Sequence, residues 1–175
     1  MLSLREVARA AGVSHQAPYH HFPSRAHLLA ALAEQGFRQR AGEVEQAQSR
    51  VSGAERQAYE TAVQYVLFAA RNPERFTLMF GDEIGSRTQY PGLDAAAGAV
   101  FDRLAQPFGA PIRHGSGNAP PLVLTAWSTV HGLAALIVHG QVRLEGPAVE
   151  AAAREVALVL WNGVKGALAP ARPKR

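Results

Sequence analysis

The residues from Ser3 to Phe22, SLREVARAAGVSHQAPYHHF, leave the chain few options at its amino end. Ser3 followed three positions on by Glu6 is a capping-box pair, in which each side chain satisfies a backbone N–H of the other. Val7, Ala8 and Ala11 recur at helical spacing, so a first short helix is expected there. Gly12 ends it, because glycine takes the left-handed conformation of a tight turn without a Cβ clash. Val13 is expected to fold back between this helix and the next. Ser14 is expected to cap a second helix that exposes His15, Gln16, Tyr19 and His20. Two short helices joined by so tight a turn have the shape of a helix-turn-helix unit.

Such a unit reads duplex DNA by laying its second helix in the major groove, N-terminal residues toward the base edges. Ser14, His15, Gln16 and Ala17 are then DNA-contact candidates, with Gln16 suited to adenine. His15 and His20 suit guanine or phosphate, while Arg5 and Arg25 are phosphate candidates that position the protein without reading sequence. Charge is divided to match. The net charge is +4, of which residues 1–40 carry +3 and the last four residues another +3, leaving −2 for residues 41–171. Positive charge gathered on the candidate reader is expected where one end of a molecule meets phosphates. The basic C-terminus reads as a solvated tail.

Ala8, Gly12, Val13, Ser14, Ala17, Tyr19, His21, Phe22, Pro23, Ser24, Arg25, Leu28 and Leu29 resemble, in order and spacing, the G-V-S-x-x-x-[LF]-Y-x-H-F-x-[SN]-K-x-x-L-L signature of TetR-type transcriptional regulators. The resemblance implies that Tyr19 holds phosphate and that His21 and Phe22 are packing residues. Pro18 departs from the pattern, where a larger apolar residue is usual; near a helix start it removes about one early hydrogen bond. TetR-type proteins also carry a further helix before the reader. With the chain starting at Met1, the expectation is that Val7, Ala11, Leu28 and Leu32 are partly uncovered, and that either the true start lies upstream or this form binds DNA poorly.

Beyond the reader the chain is written in helical runs, and no convincing strand alternation occurs. Ser24 caps a long helix reaching about Gln48. A second capping box, Ser52 to Glu55, opens another ending near Arg71, and Asn72-Pro73 starts a third. Gly85–Gly92 reads as a loop, Leu93–Gln106 as a helix, and PFGAPIRHGSGNAPP as the most mobile internal loop. Two longer helices, about Pro121–Gln141 and Pro147–Leu168, close an all-α chain. The expected division is a DNA-binding domain at 1–38, a helical ligand-binding and dimerisation domain at 39–168 and a basic tail at 169–175. There is no cysteine, hence no disulfide or thiolate site, and charges in MLSLREVARA oppose a signal peptide, so a cytoplasmic protein is expected. No charged side chain lies between Arg113 and Arg143, yet Pro120, Pro121, Ser128, His131 and Gln141 favour a helix buried by protein over a membrane span.

The last two helices are apolar on more than one face, so each needs two partners. One partner is the rest of the subunit; the other is expected to be the same pair in a second chain, through Val130, Ala134, Ile137, Val138, Val156, Leu160, Trp161 and Val164. Trp127, His131 and Gly132 form a W-x-x-x-H-G triplet that, with Asn72–Phe76 upstream, resembles a TetR-type C-terminal subclass. Tyr65, Phe68, Phe76, Met79, Phe80, Phe101, Trp127 and His131 come from separate helices and, if they converge, line an apolar pocket for a small hydrophobic or aromatic effector. The alternative for the same residues is an ordinary core. The histidines between residues 15 and 27 lack a shared ligand face, so no metal and no cofactor is expected, and no catalytic motif is present. Together these features point to a homodimeric repressor of operator DNA released by a hydrophobic ligand, the alternative being a dimeric small-molecule-binding or interaction module with an impaired reader.

Overall fold

The computed structural model describes residues 3–108 and 120–168, the last five of these by backbone alone. Among the described residues there is no strand, and eight α-helices follow one another: α1 (Leu4–Ala10), α2 (Ala17–His21), α3 (Arg25–Ser49), α4 (Ala54–Arg71), α5 (Pro73–Phe80), α6 (Pro91–Ala105), α7 (Pro121–Val138) and α8 (Pro147–Leu168). The chain is all-α, as its periodicity predicts.

The capping box at α1 is formed: Glu6 N–H donates to Ser3 Oγ at 3.2 Å, and Ser3 N–H donates to the Glu6 carboxylate at 2.7 Å. Those bonds hold the Glu6 carboxyl below its usual range. Gly12 turns the chain at φ 68°. Val13 does not tuck between the helices; it is 49% exposed. Nor does Ser14 cap α2, which begins at Ala17. Proline at position 18 has no N–H to reach the Ser14 carbonyl, so Ala17 N–H closes a turn on that carbonyl at 3.0 Å and the regular helix starts two residues late.

Ser24 does cap α3, accepting from His27 N–H. At ~1.5 Å per residue this 25-residue helix runs about 37 Å without interruption, so the expected division at residue 38 falls inside it. Its buried stripe, Ala33, Phe37, Arg40, Val44 and Ala47, recurs at three- and four-residue spacing. The early part of α3 packs with α5 and α6 in one core (Leu29, Ala33, Phe37, Met79, Leu93, Ala97). A second core joins α4, α5, α7 and α8 (Val63, Val66, Phe76, Val130, Ala134, Ala153), and Phe80 packs against both.

Between the helices the turn chemistry differs from expectation in two places. Gly53, at φ 90°, not Ser52, is the N-cap of α4. Asn72 precedes Pro73 of α5 as predicted, but its side-chain amide donates backward to the Phe68 carbonyl at 3.0 Å and so closes the end of α4. The loop 85–92 contains a single 3-10 turn, Arg87–Gln89, and α6 starts at Pro91. Helix α7 stops at Val138, ahead of a turn at Gly140 with φ 68°. Residues 109–119 of the Gly- and Pro-rich stretch and the basic tail 169–175 lie outside the described residues.

Candidate DNA interface and effector site

At the amino end, Ser14, His15, Gln16, Tyr19 and His20 are exposed on or just before α2, Tyr19 by 51%, and Ala17 is half-buried. Arg5 is exposed on α1. Arg25 is placed differently from a free phosphate contact: its guanidinium pairs with Glu83 at 2.5 Å, which ties the start of α3 to the segment after α5. Among the described residues no group of three or more His, Cys, Asp or Glu side chains is placed to hold a metal ion.

In the helical body, five of the eight expected ligand residues come together directly. His131 has its ring centroid 5.3 Å from Phe76, 4.8 Å from Phe80 and 5.5 Å from Trp127, and Tyr65 stands edge-on to Phe76 at 6.2 Å. Phe101 joins through Trp127, edge to face at 4.7 Å. Met79 instead packs on Gly36, where any Cβ would come within 2.7 Å of its sulfur, and Phe68 faces the α3 side of the body.

The cluster is threaded by hydrogen bonds that meet at Tyr65. Trp127 Nε1 donates to the Tyr65 hydroxyl at 3.4 Å, and that hydroxyl lies 2.8 Å from His131 Nδ1. Indole can only donate, so the Tyr65 oxygen accepts from Trp127 while the same hydroxyl shares a second hydrogen bond with Nδ1. Burial favours the neutral forms: it pushes the His131 imidazole down, with His139 adding a smaller effect, and pushes the Tyr65 phenol up.

Sequence reasoning missed the polar residue beneath this thread. Arg40 is 1% exposed, its guanidinium carbon 5.2 Å from the Tyr65 ring centroid and 5.8 Å from that of Phe68. Nη2 donates to the Thr61 carbonyl at 3.3 Å, whereas Nε and Nη1 have no acceptor. Burial lowers its pKa to about 10, so it stays cationic at neutral pH. The signal was legible, since Arg40 occupies an inward position of the apolar α3 stripe.

Within the cluster the rings pack on one another, Phe76 and Phe80 at 4.9 Å between centroids. The adjoining free space is a partly open apolar cleft of about 40 Å³ bordered by Thr61, Ala62, Leu104, Trp127, Val130, Leu160 and Trp161. Of the expected ligand residues only Trp127 reaches it.

Helices α7 and α8 leave an apolar surface. Helix α7 is apolar and long enough to cross a bilayer, with mean hydropathy 1.6, yet only 22% of it is buried within the subunit. Its small side chains face inward (Val123, Ala126, Val130, Ala134), as do Val149, Ala153 and Ala157 of α8. Large ones face out: Leu124, Leu136, Leu158 and Val159 are 45, 44, 53 and 72% exposed. Several of the expected interface residues lie on the inner side. Val130, Ala134 and Trp161 are buried inside the subunit, where close helix packing selects small residues and the indole fills the cleft wall. Leu160 also lines the cleft, Ile137 and Val138 line a groove with the end of α4, and Val156 is half-buried. The Val164 side chain lies outside the described residues.

Residues 1–32 match the family of bacterial regulatory proteins called tetR, and residues 58–160, more than half the chain, match the tetracyclin repressor-like C-terminal domain. The chain belongs to the TetR family. TetR-family proteins are non-enzymatic regulators of transcription that bind operator DNA and small-molecule effectors and act as dimers. Among solved structures, a protein of unknown function from a Rhodococcus species is 34% identical, with 93% of this TetR-family chain and 84% of that one aligned at a TM-score of 0.71. The TetR family transcriptional regulator PfmR from Thermus thermophilus shares the fold at 18% identity and a TM-score of 0.67, over 92% of this chain and 88% of that one. No curated protein matches.

Proposed function

We propose that this TetR-family chain is a homodimeric, cytoplasmic repressor that leaves its operator when a small hydrophobic or aromatic ligand enters the helical body. The observation that carries the reading is the continuity of α3. One helix follows directly on the reader, locks against α5 and α6 through Leu29, Ala33 and Phe37, and delivers Arg40 beneath the Tyr65–His131–Trp127 thread. A ligand that parts α7 and α8 from α4 shifts this helix, and with it the separation of two readers that must meet half-sites about one helical turn, ~34–36 Å, apart. Coupling of this kind is reciprocal: DNA must weaken the ligand as much as the ligand weakens DNA.

Gln16, His15 and His20 are the proposed base and groove contacts, with Ser14 and Ala17 at the same end and Tyr19 and Arg5 on phosphate. The exposed leucines and valine of α7 and α8 are the proposed dimer seam, four helices packing across a two-fold axis. Trp127, His131 and Gly132, the first two joined through the Tyr65 hydroxyl, support assignment to the W-x-x-x-H-G subclass.

The test is binding of the purified chain to fragments of its own upstream DNA across a salt series. Protection of a palindromic site, with affinity falling steeply as salt rises, is expected. Binding no tighter than to random duplex overturns operator control and leaves a ligand-binding module.

A further inference from the structure

Arg40 has no role as a structural ion-pair partner, because none of the ion pairs among the described residues includes it. Nε and Nη1 carry most of the donors of a guanidinium, and both are buried without an acceptor. The nearest acidic influence is Glu43, one turn along α3, whose carboxylate accepts from Gln39 at 2.9 Å. Tyr65 and Phe68 offer only their ring faces, which attract a cation but do not satisfy its N–H groups. A buried cation in this condition is costly to maintain, and an anion that reaches it removes the cost.

From this geometry we infer that the effector is a monocarboxylate on an apolar or aromatic body, with Arg40 binding the carboxylate. The inference rests on the reading above, that the body of this chain takes an effector. The cleft bordered by Ala62, Leu104, Trp127, Val130, Leu160 and Trp161 suits the apolar body. Thr61 links the two parts, since it lines the cleft and its carbonyl takes the one hydrogen bond Arg40 makes. A carboxylate that passes Thr61 reaches a guanidinium whose Nε and Nη1 lack acceptors and which packs over the Tyr65 ring. One arginine without an ion-pair partner among the described residues matches a single negative charge. A phosphate dianion asks for more donors than the site holds. At about 40 Å³ the cleft admits little more than a water-sized group, so entry of the acid requires α7 and α8 to move off α4, the displacement that release from DNA needs.

The test compares matched acids and amides, octanoate with octanamide and 4-phenylbutyrate with 4-phenylbutyramide, by calorimetric titration of the full chain. The acids are expected to bind at least about tenfold more tightly than their amides. Arg40→Met is expected to erase that preference, and Arg40→Lys to keep part of it. Equal binding of acid and amide by the unsubstituted chain, binding of neither, or a preference that survives Arg40→Met each overturns the proposal. The comparison on the unsubstituted chain decides even if Arg40→Met does not fold. Upstream DNA fragments titrated with the same compounds separate the two levels. Acids that bind through Arg40 but leave protein–DNA complexes intact overturn the release reading alone; amides that release DNA as well as acids do overturn the carboxylate assignment alone.

Discussion

Tyr65 is the residue on which the interior turns, because its single hydroxyl accepts from Trp127 and bonds His131 Nδ1 while its ring packs on Arg40. Tyr65→Phe leaves the indole N–H and the imidazole Nδ1 without a partner while preserving shape, and is expected to cost about 1–3 kcal/mol in urea denaturation. His131 gives a matching pH signature. Its imidazole is pushed down in the folded chain, so the unfolded chain binds the proton more readily. The stability it contributes is full above the ordinary histidine value of about 6.5 and is lost as the pH falls through the lowered folded value. Denaturation midpoints of the unsubstituted chain are therefore expected to drop between neutral and acid pH by more than those of His131→Gln; equal drops would remove His131 as the source.

At the scale of elements, α3 owes its position to the absence of a side chain at Gly36. A Cβ there comes within 2.7 Å of Met79 Sδ and 3.1 Å of Arg75 Cγ, so Gly36 sets how closely α3 approaches α5. Gly36→Leu is expected to destabilise by about 1–3 kcal/mol through overpacking, and to weaken DNA binding beyond its loss of stability because it tilts the helix that follows the reader. The measurement is the midpoint of thermal unfolding beside DNA affinity well below that midpoint. Helix α2 is held by far less. Its five residues carry no side-chain cap, and Pro18 forbids the bond that would extend it toward Ser14.

For the whole molecule, the large apolar side chains left outside on α7 and α8 predict assembly. Leu158→Asp with Val159→Asp places charge on the two most exposed of them, at 53 and 72% exposure, without touching either core. The doubly substituted chain is expected to sediment as a monomer with its helical circular dichroism intact and to lose specific DNA binding, since one reader cannot span two half-sites. A dimer of unchanged stability would place the seam elsewhere.

Helical periodicity, capping pairs and turn glycines are local properties, so the all-α architecture, the α1 capping box, the Gly12 turn, Ser24 as a cap and Pro73 at a helix start were all legible from the string of residues. That Tyr65, Phe76, Phe80, Trp127 and His131 could converge was legible too, since buried aromatic residues on neighbouring helices have few other places to go, but pocket and ordinary core were not distinguishable. Which face of an all-apolar helix turns inward was not legible. Hydrophobicity gives no preference between the Ala134 and Leu136 sides of α7, and only the closeness of α4 and α8 selects the smaller one. For the same reason the burial of Arg40 was only half legible. Its sequence neighbours fix that it points along the stripe of Phe37 and Val44, but only the packing of α3 on α4 removes water from the guanidinium and leaves its donors waiting for an acceptor.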